Sequence, residues 1–222
     1  EFGAAIDARI EAKSLLKHPF YQAWNAGTLP VAALREYAAQ YYHFETAFPT
    51  FLSAIHSRCS SLEVRQQILA NLWDEEAGEN NHTALWLRFC QARGLDPAQV
   101  TTGTPAPATE RLIDTYRTLC ASGIPAQGLA ALLAYEAQVP AVAVQKVAGL
   151  MKFYAISDPK ALSFFSAHLE VDGRHATVER SLVFAGARTA AEQASALAAV
   201  DRALDAFWGF LDGAYACAPA SA

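Results

Sequence analysis

The chain has 222 residues, of which 53% are hydrophobic and 18% are charged. A chain of this length buries roughly 70% of the surface that its unfolded form exposes, so we expect one domain over residues 1–222 that needs no disulfide or structural metal to fold. The 17 Lys and Arg residues are outnumbered by 22 Asp and Glu residues and form no basic cluster, which excludes nucleic acid as an expected partner.

Apolar residues recur with a period near 3.6 and strand signals are almost absent, so the sequence predicts an all-α fold. Three helices are predicted before residue 95, and they cover about residues 5–17, 28–58 and 60–94. Pro30 lies at a first-turn position of the second helix, and Pro49 is expected to kink it. Ser60 and Glu63 have the spacing of a capping box at the start of the third.

A loop rich in Pro, Thr and Gly is expected from Asp96 to Ala108. Four further helices follow, over about residues 109–121, 125–154, 159–185 and 190–215, with a kink expected at Pro140 in the second of these. The last helix carries an apolar stripe that we expect to be buried, formed by Leu197, Val200, Leu204, Phe207 and Leu211. The sequence therefore predicts a compact bundle of about seven helices.

No apolar run reaches the 18 or more residues of a membrane span, and the longest candidate, Gly128 to Tyr135, is followed by Glu136. The N-terminus has no basic region followed by an apolar stretch, so no signal peptide is expected. The 4 cysteines form no C-x-x-C motif, which is typical of free thiols in a reducing compartment. We therefore predict a cytoplasmic protein that does not contact a membrane.

An acidic run from Trp73 to His82 interrupts the third predicted helix. Glu75 and His82 are seven residues apart, so on a continuous helix they would share a face and lie about 10.5 Å apart in rise. Glu79 lies three residues before His82, the spacing found in ferritin-like di-iron proteins. Spacing alone leaves Glu75 and Glu79 as alternative metal ligands.

A second set of metal-capable residues, His168, Asp172 and His175, lies on the helix that begins at Pro159. Their i, i+4, i+7 spacing forms a narrow stripe that continues the apolar face, so we expect the set to be buried. A buried Asp between two His residues is costly unless a metal or a hydrogen-bond network satisfies it.

Glu136 is a single carboxylate in a long apolar segment and must meet a cation, a donor network or a metal. Pro140, four residues later, removes a helical hydrogen bond to its carbonyl and favours a distorted turn. Together the three helices offer three carboxylates and three imidazoles, which two divalent ions bring close to neutrality. One zinc ion would leave ligands unused, whereas mixed carboxylate and imidazole ligation suits iron or manganese.

The sequence resembles the haem-oxygenase-like di-metal oxidases and, within them, the CADD family, named for protein associating with death domains. The resemblance runs from about Leu15 to Ala176. The motifs that carry it are His18-Pro-Phe-Tyr-Gln-Ala-Trp, Leu34-Arg-Glu-Tyr-Ala-Ala-Gln-Tyr-Tyr, Trp73-Asp-Glu-Glu-Ala-Gly-Glu-Asn-Asn-His, Tyr135-Glu-Ala-Gln-Val-Pro and His168-x3-Asp-x2-His. The family's ligand pattern selects Glu75 over Glu79 and matches Glu75, His82, Glu136, His168, Asp172 and His175.

The resemblance implies a seven-helix haem-oxygenase-like bundle with a di-iron or iron–manganese centre that uses molecular oxygen and an external reductant. It also implies formation of 4-aminobenzoate for folate synthesis, in which the protein sacrifices its own Tyr21. Tyr37 maps to a second redox tyrosine and Lys146 to the amino donor. The residues alone favour a core role for the tyrosines and a surface position for Lys146, although burial would lower the pKa of that amine and make it nucleophilic.

Several alternatives remain beside this reading. His18 could bind haem iron, but it precedes Pro19 at a helix stop, where a capping role is simpler. A thiaminase-like reaction requires a cysteine nucleophile, and none lies between Cys120 and Cys217. A death-domain interaction module, an iron-storage protein, another di-iron oxidase acting on a small amine and a homodimer also remain open.

Overall fold

The structure, a computed structural model, describes the backbone of residues 1–216 and the side chains of that range except those of residues 169–173. This part of the chain contains eleven α-helices and one short 3-10 helix, and it contains no strand, so the all-α prediction is confirmed. The elements in chain order are α1 (Phe2–Ala12), the 3-10 helix Leu15–Lys17, α2 (Pro19–Ala26), α3 (Val31–His56), α4 (Leu62–Glu76), α5 (His82–Ala92), α6 (Pro97–Thr102), α7 (Pro107–Ala121), α8 (Pro125–Glu136), α9 (Val139–Phe153), α10 (Pro159–Gly186) and α11 (Ala190–Ala216).

The helix predicted over residues 60–94 was wrong in its continuity, because it is two helices, α4 and α5. Gly78 takes a left-handed φ of 74°, which ends the helical path, and Asn81 then caps α5 by accepting a hydrogen bond from the backbone N–H of Ala84. Glu75 and His82 therefore lie on different helices and not on one helical face. The cap of α4 is Ser61, one residue later than predicted.

Of the two prolines expected to kink a helix, one marks a helix boundary. Pro140 lies in the first turn of α9, where its missing N–H costs nothing, so the expected kink is a break between α8 and α9. The buried side chain of Gln138 bridges this break, since it accepts from the N–H of Leu15 at 2.8 Å and donates to the carbonyl of Ala134 at 2.7 Å. Pro49 lies inside the single helix α3.

The sequence analysis missed helix α2, which begins at Pro19. His18 caps it, because its Nδ1 accepts a hydrogen bond from the N–H of Phe20 at 3.1 Å. This contact supports the capping role over haem ligation. The short helix α6 lies within the predicted loop.

Helix α3 lies at the centre of the bundle and contacts α4, α5, α7, α8 and α11. Its apolar face is rich in aromatic rings; Phe44, for example, is fully buried against Tyr116, Tyr135 and Phe207. The predicted stripe of α11 faces this core, with Leu197 partly buried and its other four members buried. Three cysteines are free and buried, as predicted, and these are Cys59, Cys90 and Cys120; Cys217 lies outside the described residues.

Within residues 1–216, the helices are too short or too polar for any of them to span a lipid bilayer.

Candidate metal centre

Two groups of buried ligand atoms lie in the interior of the bundle. One group comprises Glu45, His82 and His168, the other comprises Glu75, Glu136 and His175, and within each group the ligand atoms lie within 4.8 Å of one another. Five of the six predicted ligands are thus brought together from α4, α5, α8 and α10. The side chain of the sixth, Asp172, lies outside the described residues.

The two groups adjoin each other through His82. Its Nδ1 donates to Oε2 of Glu75 at 2.6 Å and lies 3.9 Å from Oε1 of Glu45. The rings of His82 and His168 have centroids 4.4 Å apart. The break between α4 and α5 allows this arrangement, because a continuous helix would hold Glu75 and His82 about 10.5 Å apart in rise.

Neighbouring groups fix the orientation of two further imidazoles. Nδ1 of His168 donates to the carbonyl of Phe164 at 2.7 Å, which leaves its Nε2 available as a ligand. Nε2 of His175 donates to Asp74 at 3.0 Å, while its buried Nδ1 has no hydrogen-bond partner among the described residues. Metal-binding histidines are typically held in this way, with one ring nitrogen on a carbonyl or carboxylate and the other on the ion.

The charges of the site also fit a cation. Burial, reinforced by the nearby charge of Glu75, raises the pKa of Glu45 and of Glu136 to about 8. Burial alone would lower the pKa of His82, but the hydrogen bond and charge of Glu75, together with Glu45 and Glu136, raise it to about 9. The carboxylates therefore hold protons that a divalent ion would displace. The donor set fits two metal ions.

The structure distinguishes between two residues that spacing left as alternatives. Glu75 is 5% exposed within the cluster, whereas Glu79 is exposed in the connection between α4 and α5. The sequence analysis missed Glu45, which is 4% exposed on α3. A signal existed, because Glu45 is a lone carboxylate on the buried aromatic face of that helix.

A second buried cluster is formed by Tyr21, Tyr37 and Lys146. Nζ of Lys146 donates to the hydroxyl of Tyr37 at 2.7 Å, and that hydroxyl lies 3.2 Å from the hydroxyl of Tyr21. Lys146 is 6% exposed, so it is not the surface lysine that residue statistics favour. Burial lowers its pKa to about 7. Burial likewise raises the pKa of both tyrosines, so they remain protonated at neutral pH.

Tyr41 connects this tyrosine–lysine cluster to the candidate ligands. Its ring centroid lies 5.6 Å from that of Tyr37, and its hydroxyl forms a hydrogen bond with Glu45. A small cavity of about 10 Å³, roughly the size of one water molecule, is lined by Tyr21, Lys146 and His168 among others. The reactive side chains and the candidate ligand His168 thus line the same small cavity.

An all-helical bundle that buries carboxylate and imidazole ligands defines the class of this protein. The chain matches the TENA/THI-4/PQQC family over residues 7–216 and belongs to that family. Its fold is similar to that of a TenA homologue from Pseudomonas syringae, with a TM-score of 0.83 at 18% identity over 96% of this chain and 91% of that one. A protein from Shewanella denitrificans with a haem-oxygenase-like fold matches with a TM-score of 0.80 at 20% identity, over 95% of this chain and 89% of that chain. The haem-oxygenase-like fold is therefore confirmed, with eleven α-helices in residues 1–216 instead of seven.

Closer relatives are enzymes. The chain is 43% identical to a protein of Nitrosomonas europaea named 4-aminobenzoate synthase, over 96% of this chain and 90% of that protein. It is 38% identical to the 4-aminobenzoate synthase of Chlamydia trachomatis, over 93% and 89% of the two chains. A pyrroloquinoline-quinone synthase of Rhizobium meliloti is 28% identical over 90% of this chain and 78% of that protein. These relatives confirm the predicted resemblance and the prediction of an enzyme.

Proposed function

We propose that this protein is an oxygen-dependent oxidase that forms 4-aminobenzoate for folate synthesis from the ring of its own Tyr21, with Lys146 as the source of nitrogen. The observation that carries the proposal is the buried chain of hydrogen bonds from Lys146 through Tyr37 to Tyr21. The names of the relatives supply the product, and the small cavity that Tyr21 and Lys146 share with His168 supplies the place for the chemistry.

The five described ligands, Glu75, His82, Glu136, His168 and His175, would hold two ions, and Asp172 remains the sixth predicted ligand. Iron, or iron with manganese, would supply oxidising equivalents from molecular oxygen once an external reductant has provided electrons. The hydrogen bonds of His168 to the Phe164 carbonyl and of His175 to Asp74 would keep the other ring nitrogens directed to the ions.

Converting a tyrosyl side chain to 4-aminobenzoate requires replacing the phenolic oxygen, which leaves as water, with a nitrogen released by cleavage of the lysine Cε–Nζ bond. It also requires cleaving the Cα–Cβ bond of the tyrosine and oxidising Cβ to a carboxylate, with molecular oxygen as the oxidant. Lys146 suits the first requirement, because its lowered pKa leaves a large fraction of neutral amine at pH 7 and its Nζ lies 5.5 Å from the ring centroid of Tyr21. Tyr37 bridges the two side chains, because its hydroxyl accepts from Lys146 and pairs with the hydroxyl of Tyr21, which holds the amine beside the phenol.

The test uses the full chain loaded with iron(II), or with iron(II) and manganese(II), and exposed to oxygen and a reductant. We expect at most one equivalent of 4-aminobenzoate per chain, and peptide mapping should show a lesion at Tyr21. Protein grown with lysine labelled with nitrogen-15 at the side-chain amine should yield labelled product. Tyr21→Phe and Lys146→Arg should form none, whereas Tyr42→Phe, a half-buried tyrosine outside the cluster, should form a normal amount.

Each component of the proposal has its own contradicting result. An intact Tyr21 in protein that has formed product would reject self-sacrifice, and unlabelled product would reject Lys146 as the nitrogen source. Many equivalents of product per chain would identify an ordinary turnover enzyme with an external substrate.

A further inference from the structure

Glu45 lies in the centre of the bundle on α3, a helix that carries none of the six predicted ligands. One of its carboxylate oxygens lies within 4.8 Å of ligand atoms of both His82 and His168. Among the described side chains it is the anionic donor of this group, since the other two members are imidazoles. Glu45 thus supplies this group with the negative charge that its two imidazoles cannot offer to a divalent ion.

We propose that Glu45 is a seventh protein ligand of the metal centre, binding the ion that His82 and His168 share. The proposal rests on the dinuclear centre of the proposed function but not on the fate of Tyr21. Its ligand chemistry, one carboxylate with two imidazoles, suits a divalent first-row ion such as iron(II) or manganese(II).

The surroundings of Glu45 favour a role as a metal ligand over an ion pair with Lys146 or His82. The nearest amine, that of Lys146, donates its hydrogen bond to Tyr37 and not to Glu45. Nδ1 of His82 is 3.9 Å from Glu45 but donates to Glu75 at 2.6 Å. Neither basic group is therefore committed to this carboxylate.

The hydroxyl of Tyr41 orients the carboxylate of Glu45. This hydroxyl forms a hydrogen bond with Glu45 and a second one with the hydroxyl of Tyr135. Buried hydroxyls behind a ligand fix its direction in the way that outer-shell partners of metal sites commonly do. The same contact places the candidate ligand one hydrogen bond from the ring that packs on Tyr37.

The experiment is an anaerobic titration of the metal-free full chain with manganese(II), followed by calorimetry and by metal analysis after desalting. Wild-type protein should bind two ions per chain. Glu45→Gln, which keeps the shape of the side chain, should weaken one of the two sites at least tenfold and leave the other unchanged. Glu36→Gln, a partly exposed glutamate on the same helix, is the matched control and should bind as wild type does.

A second substitution at Glu45 covers the case in which Glu45→Gln does not fold. Glu45→Asp, which retains a shorter carboxylate, should give an intermediate affinity, and it replaces Glu45→Gln if that variant fails to fold by circular dichroism. Two sites of wild-type affinity in a folded Glu45 variant would overturn the assignment and leave the proposed function intact. Wild-type protein that binds no manganese(II) or iron(II) would overturn both.

Discussion

The lowered pKa of Lys146 shows that one side chain of the proposed reaction reduces the free energy of unfolding. Burial lowers this pKa from the ordinary value of 10.5 to about 7, so near neutral pH the unfolded chain binds a proton that the folded chain binds only partly. At about 1.4 kcal/mol per pKa unit this difference destabilises the fold by roughly 4 kcal/mol at pH 7.

Lys146→Met should therefore stabilise the protein. We expect the free energy of unfolding at pH 7 to rise by about 3 kcal/mol, because the hydrogen bond to Tyr37 is lost and offsets part of the gain. The advantage should shrink as the pH rises from about 7 toward 10.5, where the unfolded lysine also becomes neutral. Urea unfolding followed by circular dichroism at several pH values measures it.

Lys152→Met is the matched control, since Lys152 is exposed on the same helix and should change stability by less than about 0.5 kcal/mol. Equal effects of the two substitutions would show that Lys146 retains an ordinary pKa in the folded protein. If Lys146→Met raises the free energy of unfolding by the same amount at every pH, packing and not charge is responsible for the increase.

Individual ligands were predictable only where the sequence supplies a pattern. His168 and His175 share a helix, and their spacing places them on one face without further information. Glu45 comes from a helix with no other predicted ligand, so only the tertiary structure reveals that it lies beside His82 and His168. Lys146 was judged more likely to be at the surface, because residue statistics do not include the aromatic rings that enclose it.

At the scale of elements, Gly149 lets α9 approach α2 closely. A Cβ at residue 149 would lie 2.5 Å from Cδ1 of Trp24, whose indole N–H donates to the carbonyl of Lys146 at 3.2 Å. The contact thus joins the helix that carries Lys146 to the helix that carries Tyr21.

Gly149→Ala should push Trp24 and α9 apart. We expect a loss of about 2 kcal/mol in the free energy of unfolding, because overpacking a buried contact outweighs the better helix propensity of alanine. Formation of 4-aminobenzoate should fall at least tenfold, since Lys146 moves relative to Tyr21, whereas manganese(II) binding should persist. Denaturant unfolding, product assay and metal titration of the same preparation check the three effects.

Gly209→Ala on α11 is the control, because a Cβ there meets nothing within 4 Å. It should stabilise the protein by up to about 1 kcal/mol and leave product formation unchanged. If Gly149→Ala behaves in the same way, the close approach of α2 and α9 does not position Lys146.

Most helix boundaries were predicted correctly where a cap or a proline marks them. One was missed because the amphipathic pattern continues on both sides of the break. Both ends of α10 and the start of α11 match the prediction within one or two residues. The break between α4 and α5 was missed, although Gly78 and Asn81 are ordinary signals for a helix end and a helix start. The amphipathic pattern on both sides concealed it, and only the tertiary structure shows that the break brings Glu75 to His82.

For the whole molecule, the buried charges make stability depend on pH and on metal. In the metal-free protein the pKa values of Glu45 and Glu136 are raised to about 8 and that of His82 to about 9. The folded chain therefore holds protons that the unfolded chain has released, so these groups lower the free energy of unfolding as the pH rises toward 8. Lys146 has the opposite effect on the free energy of unfolding, because above pH 7 the folded chain has lost a proton that the unfolded chain retains. It offsets about one of the contributions of the three other groups.

We expect the free energy of unfolding of the chelator-treated protein to fall by about 2 kcal/mol between pH 7 and pH 8, a window in which the histidines whose pKa burial lowers are largely neutral in both states. In Lys146→Met the fall should be larger, because the opposing group is gone. Saturating manganese(II) should abolish or reverse it, since a bound cation displaces the same protons in the folded state and binds more tightly as the pH rises.

Urea unfolding at pH 7.0, 7.5 and 8.0, with chelator and with manganese(II), distinguishes these cases, with the three pH values about evenly spaced through the window. A fall of equal size with and without the metal would mean that the ion does not bind at Glu45, Glu136 and His82. A rise in the chelated protein would mean that these carboxylates are already ionised beside a fixed positive charge, in which case the buried cluster is an internal ion-pair network that needs no metal.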